Sequence, residues 1–171
     1  VFIVKGFFGL FSNGKSYIFD ALALPNNVWE VLYCPWTFIS YGFLHGGLYH
    51  LFTNMLFLYI LTQSFTNLFK ARMALKIYIL GILFGALAFL SAAALIPFLE
   101  IYNSLVGASA GVSACFIFLC TYMPEKSTRL FMFNFKLKLL AFVFIAYNLI
   151  IVFSAKINGI TPNPGGGVSH Y

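Results

Sequence analysis

The sequence predicts an all-α protein, a polytopic bundle of transmembrane helices. Hydrophobic residues make up 61% of the 171 positions and charged residues only 8%, which lies outside the range of soluble domains. No charged residue occurs in four long stretches, which are 31–69, 77–99, 101–124 and 139–155. Since about 20 apolar helical residues cross the core of a bilayer, each of the last three stretches accommodates one span. The first stretch accommodates a loop followed by a span.

Turn signals set the ends of the predicted spans. Pro35 and the Gly46-Gly47 pair interrupt the first stretch and Pro25 precedes it, so the helix is expected only from residue 48. The complete spans are predicted at 48–68, 77–96, 106–123 and 137–153. Residues 1–11 are apolar but too short to cross a bilayer, and the glycine run 165–167 resembles the entry to a further span near 168. The chain is therefore expected to be a single membrane domain, a fragment with partial first and last spans.

The basic residues give the predicted orientation. Lys and Arg prefer the cytoplasmic ends of spans. Seven of the ten basic residues fall between the second and third or the fourth and fifth predicted spans, and these are Lys70, Arg72, Lys76, Lys126, Arg129, Lys136 and Lys138. Residues 12–47, 97–105 and 154–169 are then expected to face outward. Because this asymmetry accounts for the net charge of +6, the expected partner is the lipid bilayer and not nucleic acid.

Aromatic residues cluster in the outward-facing part of the chain. Tyr33, Trp36, Tyr41 and Tyr49 are expected at the outer interface, where amphipathic rings concentrate. The connector 12–40 mixes turn residues with apolar ones. We therefore expect it to lie partly in the outer leaflet.

Three short polar motifs lie near the outward ends of the predicted spans. They are His50-x-x-x-Asn54, Gly107-Ala108-Ser109-Ala110-Gly111, and His170 after the glycine run. Residues four apart share a helix face, so His50 and Asn54 point the same way. Ser109 is expected roughly 5–10 Å below the outer interface. Peptide hydrolysis needs an activated hydroxyl, a neutral base and donors for the oxyanion, and these motifs supply all three.

Each motif also has a structural interpretation. Gly107-x-x-x-Gly111 and Gly81-x-x-x-Gly85 are patterns of small residues that let membrane helices approach closely. A serine between two glycines can bond back to its own helix, and the pair of His50 and Asn54 can link two helices. The coincidence of all three motifs on one side favours function, because polar groups inside a membrane are costly.

The same residues resemble the rhomboid family of intramembrane serine proteases. The resemblance runs from Pro35-Trp36-Thr37 through 43–54, includes 107–111 and reaches Ser169-His170. It implies a rhomboid-like bundle with a bacterial-type six-span core, truncated at both ends. It further implies a multi-pass protein of the bacterial plasma membrane whose active site faces outward and whose substrates are single-span membrane proteins.

The resemblance also assigns roles to individual residues. Ser109 is implied to be the nucleophile and His170 its base. The implied oxyanion groups are His50, Asn54 and the backbone amide of Ser109. His45 is given a structural hydrogen-bonding role near the site.

Two positions depart from the family pattern. Ala110 stands where many rhomboids have Gly, although the structural residues Gly107 and Gly111 flank the motif, and Ser113 stands where a Tyr stacks on the catalytic histidine. How His170 is held is therefore left open. The activity of this polypeptide by itself is also left open, because only one residue follows His170.

The sequence predicts neither a metal nor a cofactor. The patterns His-Glu-x-x-His and Gly-x-Gly-x-x-Gly are absent, and no predicted span contains a central carboxylate. Three cysteines give no disulfide framework. Two other classes stay open: a non-catalytic rhomboid-like protein that binds membrane helices, and a small transporter bundle, against which the lack of an internal repeat argues. No pattern indicates an oligomeric state.

Overall fold

Helices make up most of the residues that the computed structural model describes, which are 3–4, 17–95, 104–130 and 133–157. Three short helices precede four longer ones. Within these residues the helices are α1 Tyr17–Leu22, α2 Val28–Tyr33, α3 Thr37–Ser40, α4 Leu48–Leu68, α5 Ala71–Leu95, α6 Ser109–Tyr122 and α7 Leu137–Ile157. The strands are short, and they are β1 Ile3–Val4, β2 Leu24–Pro25, β3 Leu44–His45, β4 Ser104–Leu105, β5 Ser127–Leu130 and β6 Phe133–Lys136.

The four longer helices lie where the sequence predicts complete spans. The bounds of α4 are the predicted ones, whereas α5 begins at residue 71 instead of 77. The charges of Arg72 and Lys76 end the apolar stretch, but both residue types favour helices. The helix therefore continues through them. By length and apolar composition, α5 is the one helix among the described residues that suffices to cross a membrane. The helix α6 and the part of α7 at 137–150 are apolar but shorter.

Small residues bring α5 and α6 into close contact. A Cβ at Gly85 would lie 2.6 Å from the Cβ of Ala110, and a Cβ at Gly111 would lie 2.6 Å from Cδ2 of Tyr78. A Cβ at Gly81 would lie 2.9 Å from the Ala110 carbonyl oxygen. The structural interpretation of the glycine pair in α5 is therefore confirmed, since only a hydrogen side chain leaves room for the neighbouring backbone.

Aromatic rings and a charged loop occupy the end of the helices where α6 finishes. The ring centroids of Phe69 and Tyr122 lie 4.8 Å apart, so the connection between α4 and α5 contacts the end of α6. Beyond it, the hairpin of β5 and β6 brings Lys136 and Lys138 to Glu125, with the Lys136 Nζ at 2.7 Å. These two ammonium donors lower the pKa of Glu125 to about 2. The two predicted cytoplasmic connections thus lie at one end of the molecule.

The connector before α4 is folded, contrary to the prediction of a loop. The indole N–H of Trp36, the residue before α3, donates to the Ala21 carbonyl of α1 at 2.9 Å. The Ser40 hydroxyl donates to the Leu22 carbonyl at 2.7 Å. Side-chain donors therefore satisfy carbonyl groups that a short helix leaves free at its end. Trp29 and Tyr33 remain exposed on the outer surface of this segment.

The start of the chain departs from the predicted partial span over 1–11. Ile3 and Val4 are extended and pair in parallel with Leu44 and His45. Their backbone groups bond to a neighbouring strand, so a helix over these two residues was a wrong prediction. The rest of 1–11 and the further span predicted near 168 lie outside the described residues.

Candidate active site

Ser109 is the first residue of α6. The chain reaches it from β4, which pairs antiparallel with β2, and turns at Gly107, whose φ is +127°. This backbone conformation is open essentially only to glycine, and it stops a helix from beginning earlier. The predicted helix start at 106 was therefore wrong by three residues. The consequence is that Ser109 lies at a helix N-terminus instead of one turn inside the helix.

The glycine turn brings Ser109 and His50 to the same place. A Cβ on Gly107 would lie 2.8 Å from Cε1 and 3.2 Å from Nε2 of the His50 ring, and 3.7 Å from the hydroxyl oxygen of Ser109. The imidazole from α4 and the hydroxyl from α6 thus flank one small space beside the turn. Both residues are partly exposed, whereas Gly107 between them is buried.

The start of α6 also offers backbone donors. The first amide groups of a helix have no carbonyl partner within it, and the helix dipole makes this end partly positive. The amide of Ser109 belongs to this set because Ser109 opens the helix. An anion that forms beside the hydroxyl would therefore be stabilised by the backbone.

Asn54 lies one turn after His50 on the same helix and is buried. Its side-chain N–H₂ group donates one hydrogen bond to the His50 carbonyl at 2.8 Å. This bond fixes the amide against its own helix and leaves the second N–H as the group that could serve an oxyanion. Its role as an oxyanion donor stays a prediction.

His45 is fully buried in β3 and packs edge-on against the His50 ring, with centroids 5.1 Å apart. Burial, together with the neighbouring His50, lowers the pKa of His45 from 6.5 to about 4. His45 is therefore neutral at pH 7, and its structural hydrogen-bonding role near the site stays a prediction.

Stability is expected to fall as the pH is lowered from 6.5 toward 4. In this window the unfolded chain protonates His45, whose ordinary pKa is 6.5, while the folded chain, with a pKa of about 4, does not. The unfolded state then binds more protons, and acid favours unfolding. Thermal unfolding in detergent between pH 4 and 7.5 measures this. His45→Gln should flatten the dependence, and equal slopes for both proteins would contradict the explanation.

Comparison with known proteins adds the family. The model of the rhomboid domain matches residues 34–169, which is most of the chain. This chain belongs to the rhomboid family. A rhomboid domain implies an integral membrane protein.

A curated relative supports the family at a lower level. The chain is 31% identical to Rhomboid-related protein 2 of Mus musculus over 114 residues, which cover 57% of this chain. The chain spans only 35% of the length of that relative. No solved structure matches this chain significantly.

The two departures from the rhomboid pattern have different settings in the structure. The methyl group of Ala110 faces Gly85 of α5, so the space that the family keeps with a glycine after the serine is kept here by the partner helix. Ser113 lies one turn after Ser109 and is partly buried. Gly111 packs on Tyr78, which gives it a structural role in the helix contact.

His170, the implied base of the rhomboid pair, lies outside the described residues. Within the described part of the chain, the predicted site residues that meet are Ser109, His50, His45 and Gly107. In that same part, no group of His, Cys, Asp and Glu side chains could hold a metal ion. All three cysteines are unbridged.

Tyr41 is the residue near this rhomboid site whose contacts the sequence did not predict. Its placement at the outer interface stays a prediction, but only 1% of its surface is exposed, unlike that of Tyr33 and Tyr49. Its carbonyl accepts the Gly107 amide at 3.0 Å, and its hydroxyl donates to the Ile82 carbonyl at 2.7 Å. Nothing in the local sequence separates this tyrosine from its exposed neighbours, because only the folded chain brings Ile82 and Gly107 to it.

Proposed function

We propose that this chain is the core of an intramembrane serine endopeptidase with Ser109 as nucleophile and His170 as base. One observation carries the proposal: the turn at Gly107 places the Ser109 hydroxyl beside the His50 ring at the start of a helix. A structural serine between two packing glycines would not require this turn. Family membership adds the expected chemistry.

The proposed reaction begins with proton transfer from the Ser109 hydroxyl to the neutral ring of His170. The serine oxygen then attacks the scissile carbonyl, and negative charge develops on the carbonyl oxygen. The Ser109 amide, a ring N–H of His50 and the second N–H of Asn54 donate to this oxyanion. His170 returns the proton to the leaving amine, and water hydrolyses the acyl-enzyme.

A dyad without a carboxylate fits the described part of the chain. Asp20 and Glu30 are exposed on the short helices before α4. Glu125 is paired with Lys136 beyond the far end of α6, about 20 Å from Ser109 along a helix of 14 residues. At that distance Glu125 does not orient a base at Ser109, and the proposed base depends on packing for its position.

The proposed substrates are single-span membrane proteins cut near the outer face of a multi-pass enzyme. The substrate class is what membership of the rhomboid family implies. The outer face rests on the asymmetry of charge, because the basic connections lie at the end of α6 opposite Ser109. Since basic residues prefer the cytoplasmic side, Ser109 would lie toward the outer leaflet. Helices that unwind near small residues would expose their peptide bonds at this depth.

Labelling with a fluorophosphonate tests the proposal in membranes that contain the full-length protein. We expect labelling of the wild type at residue 109, and we expect Ser109→Ala to reduce it to background because the nucleophilic oxygen is removed. The matched control is Ser113→Ala, one turn later on the same helix, which should keep the label.

Cleavage of a single-span reporter should follow the same pattern. Cleavage that survives Ser109→Ala would overturn the protease assignment. Retention of a membrane-helix ligand without labelling of the wild type would favour the non-catalytic alternative.

A further inference from the structure

Tyr41 connects three elements that meet beside the proposed nucleophile. It opens the 3₁₀ turn Tyr41–Phe43, which links α3 to β3. Its hydroxyl donates to the Ile82 carbonyl of α5 at 2.7 Å, and its own carbonyl accepts the Gly107 amide at 3.0 Å. A single buried residue therefore ties the turn before α6 to the middle of α5.

We propose that Tyr41 is a positioning residue for Ser109. The hydroxyl bond to α5 fixes the Tyr41 backbone, and the fixed carbonyl then holds Gly107 in the conformation that starts α6 at Ser109. This inference rests on the proposed function and adds to it a residue that touches neither substrate nor reacting atoms.

The surroundings of the Tyr41 hydroxyl favour its hydrogen bond to the Ile82 carbonyl. A Cβ on Gly85 would lie 2.9 Å from the Tyr41 oxygen, so the glycine leaves the room that the hydroxyl occupies. Burial raises the pKa of Tyr41 above its ordinary value of 10.0, which keeps the proton on the oxygen at neutral pH. The carbonyl of Ile82 is buried in α5 and gains a partner that water cannot supply there.

The neighbouring elements leave Tyr41 as the residue that holds the backbone of the Gly107 turn. Gly107 donates its amide to no helical carbonyl, since α6 begins two residues later, and its bond to Tyr41 is what holds its N–H group. The strand pair of β2 and β4 ends at Leu105 and so leaves the turn itself to this bond. Loss of the Tyr41 hydroxyl bond should therefore increase the mobility of the Gly107 backbone more than that of the helices.

The first test is backbone amide exchange in the full-length protein in detergent, comparing wild type with Tyr41→Phe. Phenylalanine keeps the buried ring and removes only the hydroxyl. We expect exchange of the Gly107 amide to accelerate about fivefold to tenfold, the effect of losing one typical hydrogen bond. Exchange within α5 should stay unchanged. The matched control is Tyr122→Phe at the far end of α6, where the ring is exposed and the exchange at Gly107 should equal that of the wild type.

The second test is the rate of fluorophosphonate labelling at Ser109, separated from its final extent. A misplaced serine reacts more slowly in every molecule, so Tyr41→Phe should lower the rate constant about tenfold while the extent remains that of the wild type. A purely structural loss would lower the extent and leave the rate constant of the folded molecules unchanged.

Three outcomes would overturn the inference: an unchanged Gly107 amide in Tyr41→Phe, acceleration spread equally over α5, or an unchanged labelling rate with a loosened turn. A wild-type protein that takes no label would instead defeat the proposed function. In that case the exchange result would still decide whether Tyr41 holds the turn.

Discussion

Replacing Gly107 by alanine is expected to lower the rate of labelling at Ser109 by about 100-fold or more. Two effects act together at this position. A φ of +127° is strained for any residue with a Cβ, and the added carbon would lie 2.8 Å from the His50 ring. The turn must rearrange or the ring must move, and either change separates the hydroxyl from its neighbours.

The matched control is Gly46→Ala in the same outward region. A Cβ at Gly46 would meet nothing within 4 Å, so labelling should remain within twofold of the wild type. The comparison uses the same probe and detergent for both variants. If Gly107→Ala is labelled as fast as Gly46→Ala, the turn does not position the serine and the proposed site is wrong.

Replacing Gly81 by alanine is expected to destabilise the fold by about 1–3 kcal/mol, the usual cost of overpacking a tight contact. The added carbon would lie 2.9 Å from the Ala110 carbonyl oxygen and 3.0 Å from the Cα of Gly111. Both are backbone atoms, so no side-chain rotation can relieve the contact. The helices α5 and α6 would have to separate along their whole contact.

Thermal unfolding in detergent measures this loss as a fall of several degrees in Tm. The matched control is Ala88→Val, which enlarges an exposed position on the same helix and should change stability by less than about 0.5 kcal/mol. Equal Tm values for Gly81→Ala and the wild type would show that α5 and α6 are not held in such close contact at Gly81.

The long helices could be predicted from the sequence because apolar composition is a local property. The bounds of α4 followed from the glycine pair before it and the charge after it. The starts of α5 and α6 were wrong for opposite reasons. Basic residues extended α5 beyond its apolar stretch, and a positive φ at Gly107 delayed α6. A hydropathy pattern shows neither that a helix continues through basic residues nor which dihedral angle a glycine adopts.

The candidate site divides in the same way. His50, Asn54 and Ser109 could be named from spacing and resemblance, because each motif is contiguous. That the His50 ring and the Ser109 hydroxyl flank Gly107 depends on the packing of α4 beside α6, which no spacing within either helix determines. The connector before α4 was predicted as a loop, since its helices are too short to show a period.

The sequence by itself determined the class of this protein: an apolar chain with small-residue contacts and three polar motifs, which places it in the membrane and in the rhomboid family. Tertiary structure alone decided where α6 begins and what holds that beginning. Gly107 bonds to Tyr41 and Tyr41 bonds to Ile82, and these partners are far apart in the chain. Such bonds form only after the helices have packed, so no local pattern can record them.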